Sequence, residues 1–190
     1  MPTKQNWIGI DYGAKLAGTT AICFEKEKEL FIIQSQKKQD ADAFIKSLIN
    51  MVEPTHVYLD APLSLPAAYF GKGKNYFYRQ CDIETKAMSP MFLGGLTARA
   101  MKLSADFPQI TFKETYPSFL VKNIFFLQDV YQKKKPFNPE ILENMIFPKM
   151  GRPIENWHQF DSLMCWLSGK RDFENDAICL GNAEEGIITV

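Results

Sequence analysis

Three features of this sequence predict an α/β fold built on a mixed five-stranded sheet. Short strand-like runs crowd the stretch from Asn6 to Ser35, a strand-helix-strand unit follows, and helical patterns then alternate with one more strand. The runs "NWIGID", "AGTTAICF" and "LFIIQS" are rich in β-branched and aromatic residues. Gly13 and Gly18 punctuate the first turn and the charged tip "EKEKE" the second, which predicts a three-stranded antiparallel meander.

Helical spacing follows in "DADAFIKSLINMV". Phe44, Leu48 and Met51, with Ile45, Ile49 and Val52, form one apolar face, and Asp40 or Asp42 is placed to cap it. "THVYLD" supplies a fourth strand, and the helix before it is the crossover that a parallel neighbour needs. Residues 61–90 carry irregular punctuation ("SLP", "GKGK", "SP") and read as a site loop with a short helix over Arg79–Ala87. Helices are predicted over Gly95–Ala105, Ser118–Lys133 (with Ser118 as N-cap), Pro139–Met145 and Glu155–Lys170. A fifth strand is predicted at "QITFKET", and "EEGIITV" reads as an extra C-terminal strand.

At 190 residues the chain suits a single domain spanning 1–190, with 46% hydrophobic and 23% charged residues. Lys+Arg and Asp+Glu both total 22, so net charge does not drive capture of polyanions, although a local basic patch is compatible with it. Cys23, Cys81, Cys165 and Cys179 form no CxxC pair, and Cys23, Cys165 and Cys179 stand in apolar contexts. They read as reduced, packed thiols, which with no leader-like or membrane-length apolar run predicts a cytoplasmic protein.

Four acids draw the functional reading. Asp11, Asp60 and Glu114 end the first, fourth and fifth strands, and Asp161 lies on the border of the helical stripe Phe160, Leu163, Met164 and Leu167. If those strands are parallel, their C-terminal ends share the rim where open α/β sheets bind ligands. Carboxylates gathered there repel unless a cation neutralises them. Oxygen ligands suit Mg2+ or Mn2+, and a pair of such ions about 3.5–4 Å apart is a known arrangement for phosphodiester cleavage. Only His56 and His158 are present and no cysteines are grouped, which disfavours zinc.

Around these acids, Arg79, Lys72, Lys74 and Lys86 are candidate substrate-binding cations, and Asp82 is expected to pair with Arg79. Tyr69, Phe70, Tyr76, Phe77 and Tyr78 have two readings: rings that stack on bases, or anchors that pack the loop onto the sheet. His158, one helical turn before Asp161, reads either as a proton carrier and carboxylate partner or as an ordinary packing residue.

"GIDYGAKLAGTT" resembles the first strand and turn of the ribonuclease H-like superfamily, a pattern found more loosely in sugar kinases and actin-like ATPases. Together with "LDAPLSLP", "YRQCDIETK", "KETYPS", "FDSLMCWLSG" and "EEGIITV", it resembles an uncharacterised bacterial and archaeal family of predicted nucleases with ribonuclease H-like fold, from Ile8 to Val190. The resemblance implies a metal-dependent nuclease acting on DNA or RNA, a hydrolase with Asp11, Asp60, Glu114 and Asp161 at the family's acidic positions. Lys86 stands where the family usually carries a second arginine, which removes a bidentate fork for phosphate. The competing expectation is a non-catalytic module that binds a nucleotide or a partner in the same cleft.

Overall fold

The computed structural model describes residues 6–143 and 145–190. The first five residues, within the stretch read as lacking a leader, and residue 144, within the predicted Pro139–Met145 helix, lie outside the described part. Among the described residues the sheet has seven strands, the five predicted, the extra C-terminal strand and one more, in the order β3 (Glu29–Gln34), β2 (Ala21–Lys26), β1 (Trp7–Asp11), β4 (His56–Asp60), β5 (Thr111–Glu114), β7 (Gly186–Thr189), β6 (Cys179–Asn182). Strands β1 (Trp7–Asp11), β2 (Ala21–Lys26) and β3 (Glu29–Gln34) form the expected antiparallel meander. Helix α1 (Ala41–Val52) is capped by Asp40, whose carboxylate accepts from the Asp42 and Ala43 amides, and it crosses over to β4 (His56–Asp60), parallel to β1.

Short helices α2 (Gln80–Thr85) and α3 (Pro90–Leu93) punctuate the loop that follows, and α4 (Gly95–Ala105) leads to β5 (Thr111–Glu114), parallel to β4. The predicted helix over Ser118–Lys133 is helical only as far as Ile124. A single turn, α5 (Pro117–Phe119), has Pro117 at its first position and Tyr116, not Ser118, at the cap. It passes into a π-helical turn over Leu120–Ile124, and Phe126 then takes a φ of 56°, reversing the chain. The run "NIFF" gives weak helical propensity there, and tertiary burial of Tyr131 wins. Among the described residues of the predicted helix at Pro139–Met145, the helical part is a 3-10 turn at Pro139–Leu142.

Helix α6 (Trp157–Phe173) is the central helix. Every residue from Phe160 to Gly169 is buried, because the sheet covers one side and residues 117–142 cover the other. Strands β6 (Cys179–Asn182) and β7 (Gly186–Thr189) close the sheet as a hairpin, with β7 parallel to β5. Strand β6 was not predicted: it is four residues long and contains Gly181, at a φ of 102° and close against Cys81.

Alternation along β1 divides the core. Ile8 and Ile10 pack into the layer with Ile45, Ile49 and Leu103, while Trp7, Gly9 and Asp11 face α6. Cys23, Cys81 and Cys165 are buried thiols; Cys179, read as packed, is exposed because it lies on the edge strand. Among the described residues no helix is long and apolar enough to cross a membrane.

Candidate metal centre

Asp11 and Asp60 are cross-strand partners in the parallel β1-β4 ladder, so the last side chains of both strands leave the sheet on one face. Asp161 reaches them from α6 because Gly9, on the same face of β1, carries no side chain. A Cβ at Gly9 would lie 2.1 Å from the Trp166 amide nitrogen and 2.6 Å from the Ser162 carbonyl. Trp7 fastens the far end of the contact, stacking on Trp166 at 5.3 Å and donating its indole N–H to the Trp166 carbonyl at 3.0 Å.

One oxygen from each of Asp11, Asp60 and Asp161 lies within 4.8 Å of the others. Asp11 and Asp161 are buried, while Asp60 is half-buried and opens with Asp11 into a cleft of about 220 Å³, walled by Tyr12, Met88, Leu93 and Tyr116. Burial raises the carboxyl of Asp60, and the charges of Asp11 and Asp161 raise it further. Burial likewise pushes Asp161 up to about 6, against the pull of the Lys133 ammonium. An all-oxygen group of three acids, with no neutralising hydrogen bond to Asp60 among the described residues, has the donor chemistry of a divalent-cation site. The group could hold a metal ion.

Three further residues complete the surroundings. His158 Nδ1 lies 2.7 Å from Asp11 Oδ2, and this hydrogen bond holds the imidazole above its ordinary range, so of its two readings the carboxylate partner is the observed one. Tyr131 donates its hydroxyl to Asp161 Oδ1 at 2.8 Å. Lys133 brings its ammonium against Asp161 Oδ2 from a half-exposed side chain, passing 5.4 Å from the Tyr131 ring. Neither Tyr131 nor Lys133 was singled out from the sequence. Both sit in the segment predicted as helix, and the signal that points to them is the cluster "YQKKK" just before Pro136.

Glu114 does not join the three. Its carboxylate takes a bidentate pair from Arg79, Nη1 to Oε2 and Nη2 to Oε1 at 2.7 Å each, and accepts the Leu63 amide at 3.1 Å. Arg79 is not a substrate-binding cation: it is fully buried and all its N–H groups are engaged. Nε and Nη2 donate to Asp82, and Nη1 also donates to Ser64 Oγ. The expected Arg79-Asp82 pair is thus present, and Glu114 extends it. Gly186 makes room, since a Cβ there would lie 2.4 Å from Ser64 Oγ. Of the remaining candidate cations, Lys72 pairs with Glu184 at 3.3 Å, and Lys74 and Lys86 are exposed.

No family model, curated protein or solved structure matches this chain. A larger cleft of about 380 Å³ between the C-terminal half of α6 and Phe125, Leu127 and Ile146 shares no residue with the three acids, and its cations are paired with Glu174 and Asp176.

Proposed function

We propose that this protein is a divalent-metal-dependent phosphodiesterase acting on nucleic acid, on a ribonuclease H-like scaffold, with Asp11, Asp60 and Asp161 holding Mg2+ or Mn2+. The observation that carries the reading is the convergence of three carboxylates from two adjacent parallel strands and a packed helix within 4.8 Å. The antiparallel meander followed by the parallel strands β4 and β5 supports the scaffold, and the motif order gives the nuclease resemblance.

A divalent ion held by Asp11, Asp60 and Asp161 would supply Lewis-acid polarisation of a phosphoryl oxygen and activation of water. The chain's own residues do the rest. Asp11 is oriented by His158, and Asp161 by the Tyr131 hydroxyl, so two of the three carboxylates are held in direction before any ion arrives. Glu114 stands beside them as part of the buried Arg79 pair, fixing the loop after Asp60 through the Leu63 amide.

The contact between Lys133 and Asp161 favours a second reading, in which the ammonium is the permanent counter-ion and the cleft only binds. Calorimetry with millimolar Mn2+ and a hydrolysis panel of DNA and RNA substrates, run beside Asp60→Asn, separate the two. The nuclease reading expects metal binding and hydrolysis that Asp60→Asn abolishes without unfolding the chain. Absence of both metal binding and hydrolysis leaves the binding module.

A further inference from the structure

The segment from Asp60 to α4 carries rings that the fold leaves outside. Tyr69, Phe70, Tyr76, Phe77 and Phe92 are 46% to 62% exposed, so they do not anchor the loop on the sheet, which was the alternative reading of the loop aromatics. The backbone beneath them is nevertheless pinned. Asn75 Oδ1 accepts the amides of Phe77 and Tyr78 at 3.0 Å each, while buried Ser89 donates to the Phe77 carbonyl and accepts the Met91 amide. Phe77 stacks on Phe92 at 6.1 Å, and Tyr69 meets Tyr76 edge-on at 5.4 Å.

This ledge is continuous with the acid cleft, because Met88 and Leu93, on either side of Phe92 in sequence, line the cleft that holds Asp11 and Asp60. Of the six Lys and Arg in residues 61–105, Arg79 is buried in its carboxylate pair and Lys72, Arg99 and Lys102 face Glu184, Asp42 and Asp106, while Lys74 and Lys86 are exposed along the loop without an acidic partner among the described residues. Exposed rings interleaved with cations suit a ligand that offers flat faces and phosphates together.

We propose that the ledge binds single-stranded nucleic acid, stacking unpaired bases on the Phe77-Phe92 and Tyr69-Tyr76 pairs and leading the backbone into the cleft. The inference rests on the nuclease reading and adds its substrate class. A duplex keeps its bases stacked on one another and offers the rings no free faces, whereas lysines alone would take duplex and single strand alike.

The test is fluorescence anisotropy of the full chain, in EDTA to prevent cleavage, with a labelled strand of about 12 nucleotides as DNA and as RNA. The same sequence as a duplex and an abasic strand of equal length are the comparison arms. The expected result is that the single strand binds at least about tenfold more tightly than the duplex or the abasic strand, and that Phe77→Ala/Phe92→Ala loses about tenfold or more. Phe92→Leu, which keeps apolar bulk without the ring, reads the same loss if the double variant fails to fold. Equal affinity for abasic and normal strands, preference for duplex, or no binding to any strand overturns the proposal. The stabilisation by Mn2+, read on the same preparations, is independent of the rings. Its loss with strand binding retained removes the nuclease reading and leaves the ledge, and the converse result removes the ledge alone.

Discussion

Asp161 is buried, yet it is an acid beside two other acids, so its ionised form is disfavoured by desolvation and by Asp11. In the unfolded chain an aspartate titrates near 3.9, whereas here Asp161 is pushed up to about 6 and Asp60 is also raised. Between those pH values the folded state binds more protons, so the stability of the metal-free protein falls as pH rises through the window and the penalty is complete above it. His158 is raised too, and its contribution runs the same way, present at low pH and lost as pH rises. Metal-free protein is therefore expected to gain stability from pH 7 to pH 5, on the order of 1–3 kcal/mol, in denaturant titrations. Saturating Mn2+ should flatten that slope by keeping the carboxylates ionised. Lys133 makes a second prediction at this scale. In Lys133→Met the three acids lose their nearby ammonium, so the rise in melting temperature on adding Mn2+ should exceed that of the parent chain; an unchanged rise would remove Lys133 as a competing counter-ion.

At the scale of elements, the site is a strand pair with a helix laid across it. Gly9 sets the separation, because any side chain there meets the α6 backbone and not a flexible tip. Gly9→Ala is expected to cost about 3 kcal/mol or more and to weaken the response to Mn2+, both read by thermal unfolding with and without the ion. Elements with a clear period were legible in the sequence: β1, β2, β3, β4 and α1 lie close to where alternation and helical spacing put them. The segment after α5 was not: its apolar spacing suggests a helix, but "NIFF" has weak propensity for one and the burial of Tyr131 against Asp161 and Phe160 folds it otherwise. Strand β6 exists because β7 offers it an edge, a condition that four residues cannot announce.

Across the whole molecule, Arg79 ties together parts far apart in sequence. Its partners come from β5, from α2 and from the loop after Asp60, and Ser64 in turn donates to the Glu185 carbonyl in the β6-β7 turn, at 2.5 Å. Removing the cation strands two buried carboxylates, so Arg79→Met is expected to destabilise the protein by about 3–5 kcal/mol in denaturant titrations. Arg79→Lys should recover only part of that loss, because an ammonium cannot donate to Asp82, Glu114 and Ser64 in the same planar arrangement.

Sequence by itself determined the α/β class, the meander, the crossover helix, and the placement of Asp11 and Asp60 at strand ends, all of which follow from patterns over a few neighbouring residues. Tertiary structure alone decided which acids meet. Glu114 ends its strand as Asp60 does, yet a buried arginine 35 residues earlier takes its carboxylate, while Asp161 gains Tyr131 and Lys133 from a segment whose local mark, the cluster "YQKKK", does not say which acid it meets. Those choices depend on which charges burial forces together across the folded chain, a property that no short stretch of sequence carries.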